Sequence, residues 1–248
     1  MELERQGFRS VVFDCDSTLA RIEGIDELAG ERATEVRQLT ERAMAGALAL
    51  DEVYGHRLSL IAPTLAQVQT LGRAYVDALV EDARETVAAL RWLGKEVRVL
   101  SGGLRPPVEA LARELGLEPS AVAAVGISFH GDGSYRDFER GSPLARNGGK
   151  PEVIRAWGLP RPSLLVGDGA TDLEARPAVD CFAAFMGVVH RPAVAAGADV
   201  VISAPSLTPV LALAAGDSDR ARLRDSEWAP LLARGESLLT AGEVGGAV

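Results

Sequence analysis

The chain has 248 residues, with 26 Lys and Arg against 35 Asp and Glu, a formal charge of −9. A chain of this length buries roughly 70% of the surface its unfolded form exposes, and 47% hydrophobic with 25% charged residues is an ordinary globular composition. The acid surplus excludes nucleic acid and anionic membrane surfaces as main partners, because both select for clustered Lys and Arg.

In chain order, the first ten residues, MELERQGFRS, mix charges and lack the apolar core of a signal peptide. No later run approaches the roughly 18 apolar residues of a membrane span. Two cysteines, Cys15 and Cys181, are too few for a disulfide framework, so a cytoplasmic location is expected. The first predicted strand, 10–13, runs into Asp14-Cys-Asp-Ser-Thr18. Strand alternation lets Asp14 and Asp16 face one space while Cys15 points away into the core.

From 22 to 80 the apolar spacing is helical and no strand is predicted. The stripes are Ile25, Leu28, Ala29, Ala33, Val36 and Leu39; Leu50, Val53, Tyr54, Leu58 and Ile61; then Leu65, Val68, Tyr75, Val76 and Leu79. Thr64 with Gln67 is a capping box for the last of these helices. Arg57 falls inside the second stripe, where an unpaired guanidinium is costly. On the residues alone three partners stay open: a structural carboxylate, water reached by snorkelling, or a ligand carboxylate gripped by the guanidinium fork.

Further strands are predicted at 96–100, 122–127, 163–166, 181–185 and 199–202, separated mostly by helical patterns. That alternation predicts an α/β fold, a Rossmann-like parallel sheet with helices on both faces. Gly131-Asp-Gly133 between two short strand-like pieces reads as a hairpin over 127–138. Past 216 one helix near 228–239 and a frayed Gly-rich end are expected. The predicted organisation is a core of 8–21 and 81–215, a helical cap inserted over 22–80, and an extension over 216–248.

In open α/β sheets ligands bind beyond the carboxyl ends of the strands. Here those ends deliver Asp14 and Asp16, Ser101 with Gly102 and Gly103, and Gly167-Asp-Gly-Ala-Thr-Asp172. A single Asp after a strand is commonly a turn or cap residue, and Thr171 with Glu174 makes a capping box that would give Thr171 a structural role. Four carboxylates converging on one crevice nevertheless require a cation, and hard oxygen ligands favour Mg²⁺.

The motifs in this order, D-x-D-x-T at 14–18, Ser101-Gly102-Gly103, Lys150 and G-D-G-x-x-D at 167–172, resemble the haloacid dehalogenase superfamily. Over about residues 11–213 the resemblance is to its phosphoserine phosphatases, through Glu23, Ile25-Asp-Glu-Leu-Ala29, Ala43-Met-Ala-Gly46, Arg57-Leu-Ser-Leu60 and Gly148-Gly-Lys150. It implies an Mg²⁺-dependent hydrolase of a small phosphorylated metabolite, most closely O-phospho-L-serine. Asp14 would be the nucleophile that forms an aspartyl-phosphate. Asp16 would protonate the leaving alkoxide and then activate water. The metal would be held by Asp14, the Asp16 carbonyl and Asp168, with Asp172 ordering its surroundings.

The resemblance further implies that Ser101, Gly102, Gly103 and Lys150 hold the phosphoryl oxygens, with Met44 and Thr171 also against the substrate. Arg57 would take the substrate carboxylate and Glu23 its ammonium. Asp16 argues against a dehalogenase, whose halide needs no proton. The rival readings are a sibling phosphatase, a phosphotransferase to another small alcohol, and a phosphoacceptor signalling domain, the last disfavoured by Asp16 and the insertion. Leu50 stands where many relatives carry Phe. With Asp14 so near the first residue, no regulatory amino-acid-binding domain is expected ahead of it. Oligomeric state is left open.

Overall fold

The β-branched and aromatic run Ser10–Phe13 forms β1, buried on both faces at the centre of the sheet. This is a computed structural model that describes residues 5–44, 50–240 and 244–246. After β1 the chain leaves the sheet for a helical insertion: α1 (Gly24–Glu27), α2 (Ala33–Met44), α3 (Leu50–Ile61) and α4 (Leu65–Asp77). The stripe expected as one helix from Ile25 to Leu39 is broken at Gly30, whose φ of +51° lies in the left-handed region. Thr64 caps α4 as expected: its hydroxyl accepts the Gln67 amide and the Gln67 side chain accepts the Thr64 amide.

The insertion returns to the sheet beside the point where it left. Arg21 donates to the Ala78 carbonyl at 2.8 Å, and Val80 donates to Leu19 at 2.9 Å. Then come α5 (Ala83–Trp92), β2 (Glu96–Leu104), α6 (Arg105–Glu114) and β3 (Val122–Val125). The predicted run 122–127 is two strands, because β3 ends and the antiparallel hairpin of β4 (Ile127–Phe129) and β5 (Tyr135–Phe138) begins. After α7 (Gly149–Trp157), the sheet continues with β6 (Ser163–Gly167), α8 (Ala170–Ala175), β7 (Cys181–Phe185), α9 (Pro192–Gly197) and β8 (Val200–Ile202).

The strand order is β3-β2-β1-β6-β7-β8, all parallel. The order reverses beside β1, so a crevice opens at the carboxyl ends of β1 and β6. The apolar side chains of these strands form one continuous core with the flanking helices, including Val11, Val99, Leu165 and Phe182.

The extension is more ordered than its pattern implied. Beyond α10 (Thr208–Ala214) lie two helices, α11 (Asp217–Arg224) and α12 (Ala229–Thr240), in place of the single one expected. The end expected to fray supplies β9 (Val244–Gly246), which pairs antiparallel with β8 and closes that edge of the sheet. Leu223 and Leu232 are buried against the core. Arg234 of α12 reaches the returning segment of the insertion, pairing with Glu81 at 2.7 Å and Asp82 at 3.0 Å. Among the described residues no helix is long and apolar enough to cross a membrane.

Candidate active site

The carboxyl end of β1 turns sharply. The Cys15 carbonyl accepts the Leu19 and Ala20 amides at 2.9 and 3.0 Å, and Ser17 takes a φ of +53°. Holding a residue other than glycine in that region costs energy, and the surrounding bonds maintain it. The turn sends Asp14 and Asp16 into one cavity, while the Cys15 side chain is buried. Glu23, Ile25, Asp26 and Arg57 of the insertion line the same cavity, as do Gly102, Gly103, Leu144, Arg146, Lys150 and Thr171 of the core. The space open to a water-sized sphere is about 30 Å³, room for about two water molecules.

Lys150 enters from the first turn of α7 and is buried. Its Nζ lies 2.8 Å from Asp14 Oδ1 and 2.7 Å from Asp172 Oδ1. Asp172 also accepts the Gly169 amide at 3.0 Å, which starts α8. A side chain at Gly167 would meet the Asp172 carboxylate at 2.3 Å, so the close approach requires glycine there. Asp168 accepts from Thr18 at 3.4 Å and from Arg191 Nε at 2.9 Å. Arg191 also lies 3.4 Å from Glu23, which accepts the Ser17 hydroxyl at 2.7 Å.

Burial perturbs this cluster strongly. It pushes Asp14 up to about 6 against the opposing pull of Lys150, with Asp168 and Asp16 adding to the rise. It pushes Asp168 up to about 6 against Arg191, and Asp172 to about 7 with Asp14 adding to the rise. Enclosure beside Asp16 and Asp168 raises Glu23 well above the usual carboxylate range. Burial disfavours the Lys150 charge, but Asp14 and Asp172 outweigh it and hold the ammonium above its ordinary value. Shifts of this kind mark sites built for chemistry or ion binding.

Residues 8–180 match the family described as haloacid dehalogenase-like hydrolase. Phosphoserine phosphatase of Mus musculus is 40% identical over 187 residues, 73% of this chain and 83% of that protein. The Homo sapiens phosphoserine phosphatase is 39% identical over the same shares. A solved structure described as a substrate-bound phosphoserine phosphatase complex superposes with a TM-score of 0.71 at 28% identity, covering 82% of this chain and 96% of that one. The chain belongs to the haloacid dehalogenase-like hydrolases, within the phosphoserine phosphatase family.

Of the residues that the family resemblance singled out, Asp14, Asp16, Glu23, Arg57, Gly102, Gly103, Lys150 and Thr171 line the one cavity. Asp168 and Asp172 pack beside it, and each shares a cation with another carboxylate. Ser101 is fully buried and donates to Asp16 Oδ2 at 3.2 Å while accepting the Gly103 amide at 2.8 Å. The side chains of Met44 and Leu50 lie outside the described residues. The Thr171–Glu174 capping box does not form. Gly169 caps α8 instead, with Asp172 closing back on its amide, and Glu174 accepts from Asn147 and Gly148 at 2.8 and 2.7 Å.

Arg57 is buried, and among the described residues no carboxylate lies within ion-pair distance of it. One guanidinium nitrogen donates to Thr40 at 2.7 Å, the Tyr54 ring lies 5.7 Å away, and Nε has no partner. A buried donor without a partner is costly, so its place on a cavity wall favours the ligand reading over the structural one. Sequence reasoning missed Arg191, Asp26 and Arg146. Arg191 sits in a loop before Pro192 with no pattern to mark it, and only folding sets it against residues more than 20 positions away.

Proposed function

We propose that this chain hydrolyses O-phospho-L-serine to serine and phosphate, through a phosphoryl group carried on Asp14. The observation that carries the reading is the polarity of the cavity. Lys150, paired with Asp14, stands at the core side, while Arg57 and Glu23 face it from the insertion. A phosphate at one end and a zwitterionic amino acid at the other match that arrangement. The Nε of Arg57 has no partner, which leaves that donor for a carboxylate.

Asp14, Asp168 and Asp172 each offer a carboxylate oxygen within 4.8 Å of the others, a hard-oxygen set that suits Mg²⁺. Asp14, Asp168 and the Asp16 backbone carbonyl would hold the ion, with Asp172 fixing Lys150 beside it. Bound there, Mg²⁺ neutralises charge on the phosphoryl oxygens. The chain's own part is to place the nucleophile. Asp14 Oδ attacks phosphorus, and the Gly102 backbone amide with Lys150 meets the charge that spreads over the phosphoryl oxygens. Asp16 supplies the proton for the departing serine oxygen and later removes one from the attacking water. The insertion and the core both line the cavity, so movement of the insertion would admit the substrate and its return would exclude water. Thiols buried and unpaired at Cys15 and Cys181 support a cytoplasmic setting.

The test is Mg²⁺-dependent phosphate release from phosphorylated amino acids and sugars, with a small alcohol added as a rival acceptor. The expected result is preference for O-phospho-L-serine with water as acceptor, abolished in Asp14→Asn. Turnover retained in Asp14→Asn would overturn the nucleophile. Activity on p-nitrophenyl phosphate with none on O-phospho-L-serine would overturn the substrate.

A further inference from the structure

Tyr75 lies on α4 of the insertion, and its side chain is fully buried. Its ring belongs to the apolar stripe that the helical spacing marks out, but its hydroxyl leaves that stripe and crosses to the core. There it donates to Asp16 Oδ1 at 2.6 Å. The Gly24 amide, at the start of α1, donates to the same oxygen at 2.6 Å. Asp16 Oδ2 receives the Ser101 hydroxyl at 3.2 Å, a longer and weaker bond.

The two oxygens of Asp16 are therefore unlike. Oδ1 already accepts two short bonds, which use its two lone pairs. A proton on this carboxyl group is left to Oδ2, on the side of Ser101 and Gly103. Both donors to Oδ1 come from the insertion, whereas Asp16 belongs to the turn after β1. The arrangement exists only while the insertion rests on the core. A Cβ at position 24 would come within 2.0 Å of the Tyr75 hydroxyl, so the convergence of phenol and amide on one oxygen depends on glycine at that place. Simple packing explains the ring but not the hydroxyl, since phenylalanine would fill the stripe without a polar group to satisfy.

We propose that Tyr75 is a positioning residue for proton transfer by Asp16: with the Gly24 amide it occupies Oδ1, so that Oδ2 carries the proton, and it does so only when the insertion is closed. The proposal rests on Asp16 acting as the acid and base. As Asp14 attacks phosphorus and the bond from phosphorus to the serine oxygen breaks, the Oδ2 proton passes to that oxygen and Asp16 is left a carboxylate. Tyr75 and Gly24 meet the charge on Oδ1. When water attacks the aspartyl-phosphate, Oδ2 takes its proton and the bond from phosphorus to Asp14 breaks, restoring both side chains. Closure of the insertion and arming of the acid become one event.

The experiment measures kcat/KM of the full chain with Mg²⁺ for O-phospho-L-serine and for p-nitrophenyl phosphate, in wild type, Tyr75→Phe and Asp16→Asn. This ratio reports the steps up to departure of the alcohol. A serine alkoxide needs a proton to leave and a nitrophenolate does not. General-acid assistance is worth about 10²- to 10⁴-fold, and losing its orientation forfeits part of that. Tyr75→Phe is expected to lower kcat/KM for O-phospho-L-serine by about tenfold or more and to leave p-nitrophenyl phosphate within about twofold. The unchanged aryl substrate doubles as proof of folding.

Equal losses on both substrates, or none on either, would overturn the role of Tyr75. Asp16→Asn separates the two claims. If it shows the substrate-selective loss and Tyr75→Phe does not, the positioning role alone fails. If Asp16→Asn leaves O-phospho-L-serine turnover intact, the acid–base reading fails and takes the positioning role with it.

Discussion

Lys150 illustrates how a single residue holds this site. One ammonium, 5% exposed in its side chain, lies between Asp14 and Asp172. Removing one partner of a buried ion pair leaves an uncompensated charge, typically a loss of about 3–5 kcal/mol. Lys150→Met should therefore lower kcat by about a hundredfold or more through the lost phosphoryl contact. It should also shift the thermal midpoint downward, because the ammonium that offsets the buried Asp14 and Asp172 carboxylates is gone. A kcat unchanged within error would remove Lys150 from the reaction. Arg57→Lys is a different case. The ammonium keeps the charge but not the fork, so KM for O-phospho-L-serine should rise about tenfold while kcat/KM for p-nitrophenyl phosphate stays level. A parallel loss on both substrates would mean that Arg57 holds the fold and not the carboxylate.

At the scale of elements, local chemistry and tertiary packing divide the outcome. Thr64 and Gln67 form their capping box because every bond in it lies within four residues. The same pattern at Thr171 and Glu174 does not form. The Asp172 carboxylate reaches the Gly169 amide and Lys150 instead, and Glu174 is taken by the loop before α7. The tail shows the reverse outcome, with weak periodicity and firm packing. Leu232 of α12 is buried at 1% exposure, and truncating a buried leucine costs about 2–5 kcal/mol. Leu232→Ala should lower the denaturation midpoint accordingly and leave kcat within about twofold, since Leu232 is not among the residues that line the cavity. A stability change below about 1 kcal/mol would show that the tail is not part of the core.

For the whole molecule, only part of the −9 charge lies in the crevice. There Asp14 and Asp168 are pushed to about 6 and Asp172 to about 7 by burial. A carboxyl group whose pKa is raised on folding binds protons more tightly in the folded state. Its contribution to stability is favourable at low pH and is lost as pH rises from about 4 to about 7. Mg²⁺ held at the proposed site would act in the opposite sense, because it would bind the ionised cluster and compete with protons. The increase in thermal midpoint on adding Mg²⁺ should therefore grow steadily between about pH 5.5 and pH 7.5. An increment that does not vary with pH would show that the ion binds elsewhere.

The sequence by itself determined the parallel α/β core, and it supplied the helical insertion after the first strand and the residues proposed for the reaction. Asp14, Asp16, Lys150, Asp168 and Asp172 could be read because each follows a strand end or opens a helix, where local spacing dictates direction. Five predicted strands occur at or within two residues of their expected bounds or extend beyond them, and β3 with β4 divides the remaining run. Only the tertiary structure decided which atoms meet. It placed Arg191 on Asp168 and Tyr75 on Asp16, pairs separated by 23 and 59 positions. It also turned a tail of weak periodicity into two helices and an edge strand. The reason is physical: spacing along the chain reports the face a side chain takes on its own element, whereas a partner brought from another element is selected by packing and charge that exist only after folding.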